Sequence, residues 1–441
     1  MCLQHSEGDT DLNLSPNPGG SSAGNVSGDP CEPFPWDAGV FDAHCHPTNT
    51  MASIESIPAM KARVLTVMAT RSEDQELVCE VASRHGVHHG STLSSTPPVA
   101  SGQDRIIPSF GWHPWVSYQL YDDTVSNPTY DGTLAGKTAH YDQVLAPAPS
   151  SRDASFSDAL CNPKPLSEFI SETRRRLETS PLALVGEIGL DKAFRLPTAW
   201  TSAQEINREE SLTPGGREGR RLSPYRVQIT HQAAILRAQL ELAGQMGRPV
   251  SVHGVQAHGI LYDTIASCWK GHEKEVLSRR QKRQIAVGAE DFSSDTDEYS
   301  AQDATIDRKN RAQKPTPAPA AAAAAAGGKA TGLFPPRICL HSYSGHIEQL
   351  KMYIRPSVPA KVYFSFSIAV NWGAGGGEKT EEAIRAIPDD RLLVESDLHA
   401  AGEQMDNSLK EVCRKICQIK RWDLREGVER LGRNWREFIL G

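Results

Sequence analysis

No stretch of the chain approaches the roughly 18 uninterrupted apolar residues that a membrane span requires, which excludes an embedded protein. The first 30 residues are polar and acidic, and they lack the apolar segment of a secretory signal. The nine cysteines are scattered and include no C-x-x-C pair. Reduced thiols, in the cytosol or nucleus, are therefore expected. Cys413 and Cys417 stand four residues apart on a predicted helix, where packing is the expected role. An excess of basic charge is also missing. The net charge is −7, so overall charge gives no support to non-specific DNA binding. With 39% apolar and 23% charged residues, the composition is that of a globular protein, neither collagen-like nor wholly disordered. Its 441 residues correspond, as a starting estimate, to two or three average domains.

Residues 1–36 are rich in Pro, Gly, Ser and Asn and read as a disordered leader. From residue 37 the chain alternates β-like runs with helix-like segments. The β-like runs fall at 40–44, 63–69, 105–112, 182–188, 249–253, 337–341, 361–368 and 391–395. Several are almost continuous Val, Ile and Leu, as in strands buried on both faces of a parallel sheet. Ile229, Ala233, Leu236, Leu240 and Ala243 recur at helical spacing, with Gly244 and Gly247 as stop signals. Helical segments are also expected at 166–177 and 347–354. Eight such units predict an α/β fold, a single (β/α)8 TIM barrel. Four insertions interrupt it, at 86–104, 118–165, 192–224 and 271–336. The last begins with the basic cluster 279–283, a solvated charge run or a nuclear address, and ends in a Pro/Ala tract. Without leader and insertions about 240 residues remain, close to the roughly 250 of one barrel.

The polar residues at the strand ends carry the chemistry. The first strand ends His44-Cys45-His46, with both imidazoles on one side, because alternate residues of a strand share a face. The fourth carries Glu187, the fifth ends at His253, the sixth at His341, and the eighth runs into Asp397. In a barrel these ends converge on one mouth, where active sites lie. A lone histidine there is usually structural. Four histidines with two carboxylates are costly to hold together without a cation. Mixed nitrogen and oxygen ligation suits Zn, Mn, Fe or Ni, and six donors suit two ions sharing a carboxylate.

Phe41-Asp42-Ala43-His44-Cys45-His46, Gly111-Trp112-His113-Pro114, Val185-Gly186-Glu187-Ile188-Gly189-Leu190-Asp191, His341-Ser342-Tyr343-Ser344-Gly345 and Glu395-Ser396-Asp397 follow one another in this order. Gln232, Leu236, Gln239, Leu240, Leu242 and Ala243 fall on the helix before the fifth strand, and Asn434 and Phe438 near the end. In this pattern the chain resembles the TatD-type metal-dependent hydrolases, and within them a divergent fungal branch described as partners of an anaphase-promoting-complex subunit. The resemblance implies two divalent ions (Mg, Mn or Zn). His44 and His46 would hold one together with Asp397, His253 and His341 the other, and Glu187 would bridge them. It also implies hydrolysis of a phosphodiester, most simply at DNA ends. Asp397 would serve as general base, and His113 would contact phosphate or assist the leaving group.

Two departures bear on substrate. The position two residues after His253, where the family usually has Arg, is Val255. After Asp397 the family usually reads A-P-Y-L, whereas this chain reads Leu398-His399-Ala400-Ala401. The cage is thus kept while the grip on substrate is altered. A small amide, lactone or phosphodiester is an alternative substrate, and an interaction protein that docks partners through its insertions is an alternative function. Topology places insertions 118–165 and 192–224 at the mouth and the other two at the opposite face. The 192–224 segment holds six basic and four acidic residues, and Arg195, nearest the strand end, is its candidate for gripping phosphate.

Overall fold

The structure is a computed structural model and describes residues 33–93, 103–276, 334–373 and 377–441. The leader up to residue 32, residues 94–102 of the 86–104 insertion, the basic cluster 279–283 and the Pro/Ala tract lie outside the described residues.

Eight parallel strands form the central sheet in chain order. They are β1 (Phe41–Cys45), β2 (Val64–Met68), β3 (Ile106–Phe110), β4 (Leu184–Asp191), β5 (Val250–Val255), β6 (Arg337–Leu340), β7 (Lys361–Phe366) and β8 (Leu392–Val394). Each is buried along nearly its whole length, as the unbroken apolar runs require. β1 and β8 meet through backbone bonds beyond their ends. The Asp397 amide donates to the His44 carbonyl at 3.0 Å and the His46 amide to that of Leu398 at 2.9 Å. Asp42 bridges the same seam, accepting from the Ser396 amide (3.1 Å) and hydroxyl (2.5 Å). The nearly closed sheet is the expected TIM barrel.

Among the described residues the longer helices are, in chain order, α1 (Ser72–His85), α2 (Leu134–Val144), α3 (Leu166–Thr179), α4 (Ile229–Met246), α5 (His258–Cys268), α6 (Ile347–Tyr353), α7 (Gly377–Ala386), α8 (Glu403–Lys420) and α9 (Leu424–Leu440), of which α2 belongs to the insertion after β3 rather than to the layer around the sheet. In α4 the apolar stripe faces the sheet, with Leu236, Leu240 and Ala243 buried. Gly244 lies inside that helix. The stop is Gly247, whose φ of 63° is the left-handed conformation glycine adopts without strain. Cys413 and Cys417 are buried on α8 within the main core, as packing residues. Phe34 and Trp36, inside the segment 1–36 that reads as a leader, pack against this core.

The two insertions after β3 and β4 form a structure of their own. Tyr118, Tyr141, Val144, Leu145 and Phe156 from one share a buried cluster with Leu196, Tyr225 and Val227 from the other and its return. Leu145–Ala146 pairs antiparallel with Arg226–Val227. Neither segment reads as apolar enough to fold alone. Together they bury one side of each.

Candidate metal centre

The ladder breaks where the site begins. Pairing of β1 with β2 shifts between Asp42 and Cys45, and pairing of β4 with β5 shifts between Val185 and Ile188. His44 and Glu187 sit in these breaks, where an irregular strand re-aims a side chain. Gly189 follows Glu187 with φ +151°, and a Cβ there would lie 2.1 Å from the His253 carbonyl oxygen. Only glycine lets β5 approach so closely.

Two glutamines of α4 set the heights of the neighbouring strand ends. Gln239 accepts from the Trp112 amide (2.7 Å) and donates to its carbonyl (3.2 Å). Gln232 does the same for Asp191, at 2.7 and 2.9 Å. Each buried side-chain amide thus stands in for a missing strand neighbour and leaves no backbone group unpaired.

His44, His46, His113, Glu187, His253, His341 and Asp397 are all buried at one mouth, and Glu187 is their hub. Its Oε2 lies 3.5 Å from His44 Nε2 and 3.4 Å from His46 Nε2. Its Oε1 lies 3.0 Å from His113 Nε2, 3.0 Å from His253 Nδ1 and 2.8 Å from His341 Nε2. Asp397 Oδ1 sits 3.4 Å from His46 Nε2 and 3.9 Å from His44 Nε2. One carboxylate therefore separates two donor sets, His44/His46/Asp397 and His113/His253/His341. Asp397 has φ 54°, in the left-handed region, a strained conformation of the kind that collects at functional sites.

The donors fit a divalent cation. His44 Nε2 and His46 Nε2 are 3.0 Å apart, and Asp397 Oδ1 is buried with no hydrogen-bond partner among the described residues. Converging lone pairs and an orphaned carboxylate oxygen are what a cation satisfies. Three subsets of these residues have donor atoms close enough to share one ion: His44/His46/Glu187, His44/His341/Asp397 and His113/Glu187/His253.

Without ions the cluster is strongly polarised. Burial pushes Glu187 up, but the neighbouring His113, His341 and His44 outweigh it and hold the carboxyl well below its usual range. Burial pulls His341 down, yet Glu187 and Glu395 push it up to about 10. His113 goes the other way. Burial outweighs Glu187 and lowers it to about 4.

Outer contacts fix which nitrogen each ring presents. His253 Nε2 lies 3.1 Å from Asp191 Oδ2. Asp191 also accepts from Trp115 Nε1 (2.6 Å) and from the Ala193 and Phe194 amides. A carboxylate only accepts, so the Asp191 contact keeps a hydrogen on His253 Nε2 and leaves Nδ1, 3.0 Å from Glu187 Oε1, as the nitrogen that a cation beside Glu187 would take. His44 Nδ1 pairs with Ser251 Oγ at 2.8 Å. His113 is the reverse case. Its Nδ1 accepts from the Trp115 amide at 3.2 Å, so Nε2 carries the hydrogen and donates to Glu187. Trp115 stacks on Phe194 at 4.5 Å beside His113 and His253.

Arg195 does not join the cluster. It is exposed, and no hydrogen bond or ion pair links it to these side chains among the described residues. Asp191, Ser251 and Glu395 were not singled out from sequence as site residues. Glu395 accepts from the Ser342 amide at 2.8 Å and from the Ser342 and Ser365 hydroxyls.

A family model described as TatD related DNase matches residues 41–439. The chain belongs to the TatD-related DNase family. Cut9-interacting protein scn1 of Schizosaccharomyces pombe is 33% identical over 400 residues, covering 91% of this chain and 98% of that one. A Saccharomyces cerevisiae protein described as an uncharacterized deoxyribonuclease is 23% identical over 363 residues, covering 81% and 83%. Among solved structures, an uncharacterized amidohydrolase from S. cerevisiae matches 92% of this chain and all of its own, with a TM-score of 0.47 and 11% identity. The TatD family is one of hydrolases, and the mouth of this member holds residue clusters that could bind a metal. No helix among the described residues is long and apolar enough to cross a membrane.

Proposed function

We propose that this TatD-family member is a metal-dependent phosphodiesterase, acting on DNA ends or small phosphodiesters with two divalent cations. The observation that carries this reading is the division of Glu187, with one oxygen facing His44 and His46 and the other facing His253 and His341. His44, His46 and Asp397 would hold one ion, His253 and His341 the other, and Glu187 both. Bound there, the ions would supply Lewis acidity at a phosphodiester oxygen and activation of water near neutral pH.

The chain's own residues do the rest. Asp397, with Oδ1 free of other partners, takes the proton from the attacking water. His113 presents an Nε2–H rather than a lone pair, so it acts as a hydrogen-bond donor to phosphate or the leaving oxygen, not as a ligand. The joint core of the two insertions places structured protein beside the mouth, where it limits the substrates that enter. Arg195, exposed, is left without a part in this reading.

The test is metal content together with cleavage of end-labelled single- and double-stranded DNA. Two transition-metal equivalents per chain and Mg- or Mn-dependent cleavage, both reduced in Asp397→Ala, are expected. Intact DNA after metal supplementation would overturn the nuclease assignment. A panel of small esters and amides then separates a small-substrate hydrolase. A second reading, a protein-docking role, is favoured by the S. pombe relative, which is named for its interaction with Cut9. Under it, Glu187→Ala would leave cellular function intact.

A further inference from the structure

Val255, two residues after His253, offers a phosphodiester no hydrogen-bond donor from its side chain, so a grip on phosphate besides the proposed ions has to come from another side chain at the mouth. Arg71, buried at the end of β2, is not available. Its Nε donates to the Pro214 carbonyl, its Nη1 to Thr70 Oγ1 and Asp74 Oδ2, and its Nη2 to Asn49 Oδ1 and the Thr213 carbonyl. All five N–H groups are spent. Their effect is to fix Asn49. Because Asn49 Oδ1 accepts from Arg71, its Nδ2 is the group that meets His399 Nδ1, at 2.6 Å. An amide nitrogen only donates, so His399 Nδ1 accepts and Nε2 carries the hydrogen.

His399 stands two residues beyond Asp397. Its ring lies over His46, with centroids 5.4 Å apart and planes at 25°, and it is exposed at the mouth. The anchoring chain reaches into the 192–224 insertion. The Thr213 amide donates to the Asn49 carbonyl at 2.9 Å, and Thr213 Oγ1 to the Thr48 carbonyl at 2.5 Å.

We propose that His399 is a substrate-binding residue whose Nε2–H, oriented by Asn49 and Arg71, grips a non-bridging phosphate oxygen. This rests on the phosphodiesterase reading above. The 192–224 insertion takes part by holding the anchor rather than by offering Arg195. A neutral N–H donor grips less strongly than a bidentate guanidinium, which fits a terminal or small phosphodiester better than a long polyanionic duplex.

The experiment measures thymidine 5′-monophosphate binding to the metal-loaded full chain by calorimetry, beside kinetics on a thymidine phosphodiester. In His399→Ala, binding should weaken about tenfold and KM rise to match, with kcat within about twofold and metal content unchanged. His399→Gln keeps an N–H donor and should recover part of the loss. Asn49→Leu, which releases the tautomer, should weaken binding and shift the His399 ring-nitrogen signals in a histidine-selective ¹⁵N spectrum. Unchanged binding in His399→Ala overturns the proposal, and so does a wild-type Nδ1–H tautomer. Failure of the wild-type protein to bind the monophosphate also overturns it. Binding lost in His399→Ala, in a protein that cleaves no phosphodiester, supports the grip and removes the hydrolase reading instead.

Discussion

Asp191→Asn alters one atom of a side chain that touches no proposed ion, yet it should empty half of the metal centre. In the wild-type chain one buried carboxylate takes four donors: His253 Nε2, Trp115 Nε1 and two backbone amides. Asparagine keeps the shape and one oxygen. With that oxygen on the Ala193 and Phe194 amides, its NH2 faces two N–H groups. The cheapest relief is for His253 to hold its hydrogen on Nδ1, against Glu187 Oε1, and the nitrogen that the ion would take is then blocked. Loss of such an orienting partner costs about 10–100-fold in metal affinity, or roughly 1.4–2.7 kcal/mol. The first ion, on the His44/His46/Asp397 side, should be held within about twofold. Competition with a chromophoric chelator, followed through two equivalents of Zn²⁺ or Mn²⁺, resolves the two steps. Equal weakening of both steps, or of neither, would refute the tautomer argument and the division of the cluster at Glu187.

Gly189→Ala should destabilise the fold by more than about 3 kcal/mol, because its Cβ meets strand backbone, not a movable side chain; a melting curve within 2 °C of wild type would refute the close approach. Leu196→Ala, in the shared core of the insertions, should cost about 2–5 kcal/mol locally and expose both insertions to protease at once, whereas cleavage in only one would show that they fold separately. His140, on α2, has Nε2 on the Tyr118 carbonyl and Nδ1 against Thr129 Oγ1, and burial lowers it to about 4. The neutral ring therefore stabilises the fold fully above its ordinary value near 6.5, and this contribution is lost as pH falls toward 4, at most about 3 kcal/mol. Hydrogen exchange in residues 134–146 should rise over that window, and His140→Gln should flatten the rise.

The barrel was legible because its strands are buried on both faces, so eight apolar runs stood out without any knowledge of their partners. The donors were legible because a histidine or acid at the end of such a run is conspicuous. Their orientation was not. Asp191 belongs to the same run as Glu187, but only the approach of β5 shows that it meets His253. Ser251 is a lone hydroxyl in the apolar run Val250–Val252, a faint signal that it faces polar company at His44. Arg195 is the basic residue nearest the strand end in sequence, but there the chain buries Leu196 and leaves Arg195 exposed. The paired cores of the two insertions depend on contacts across about 80 residues of chain, which no local pattern reports.

Gln232 and Gln239 are seven residues apart, nearly two turns and about 10.5 Å of helix rise, and each clamps the end of a different strand. α4 therefore works as a ruler with two marks. One added residue between them would turn the second mark by about 100° and lift Trp112, and with it His113, off its clamp. The chain accommodates insertions of tens of residues at the ends of β3 and β4, yet this short interval between the glutamines cannot gain or lose a single one without detuning the mouth.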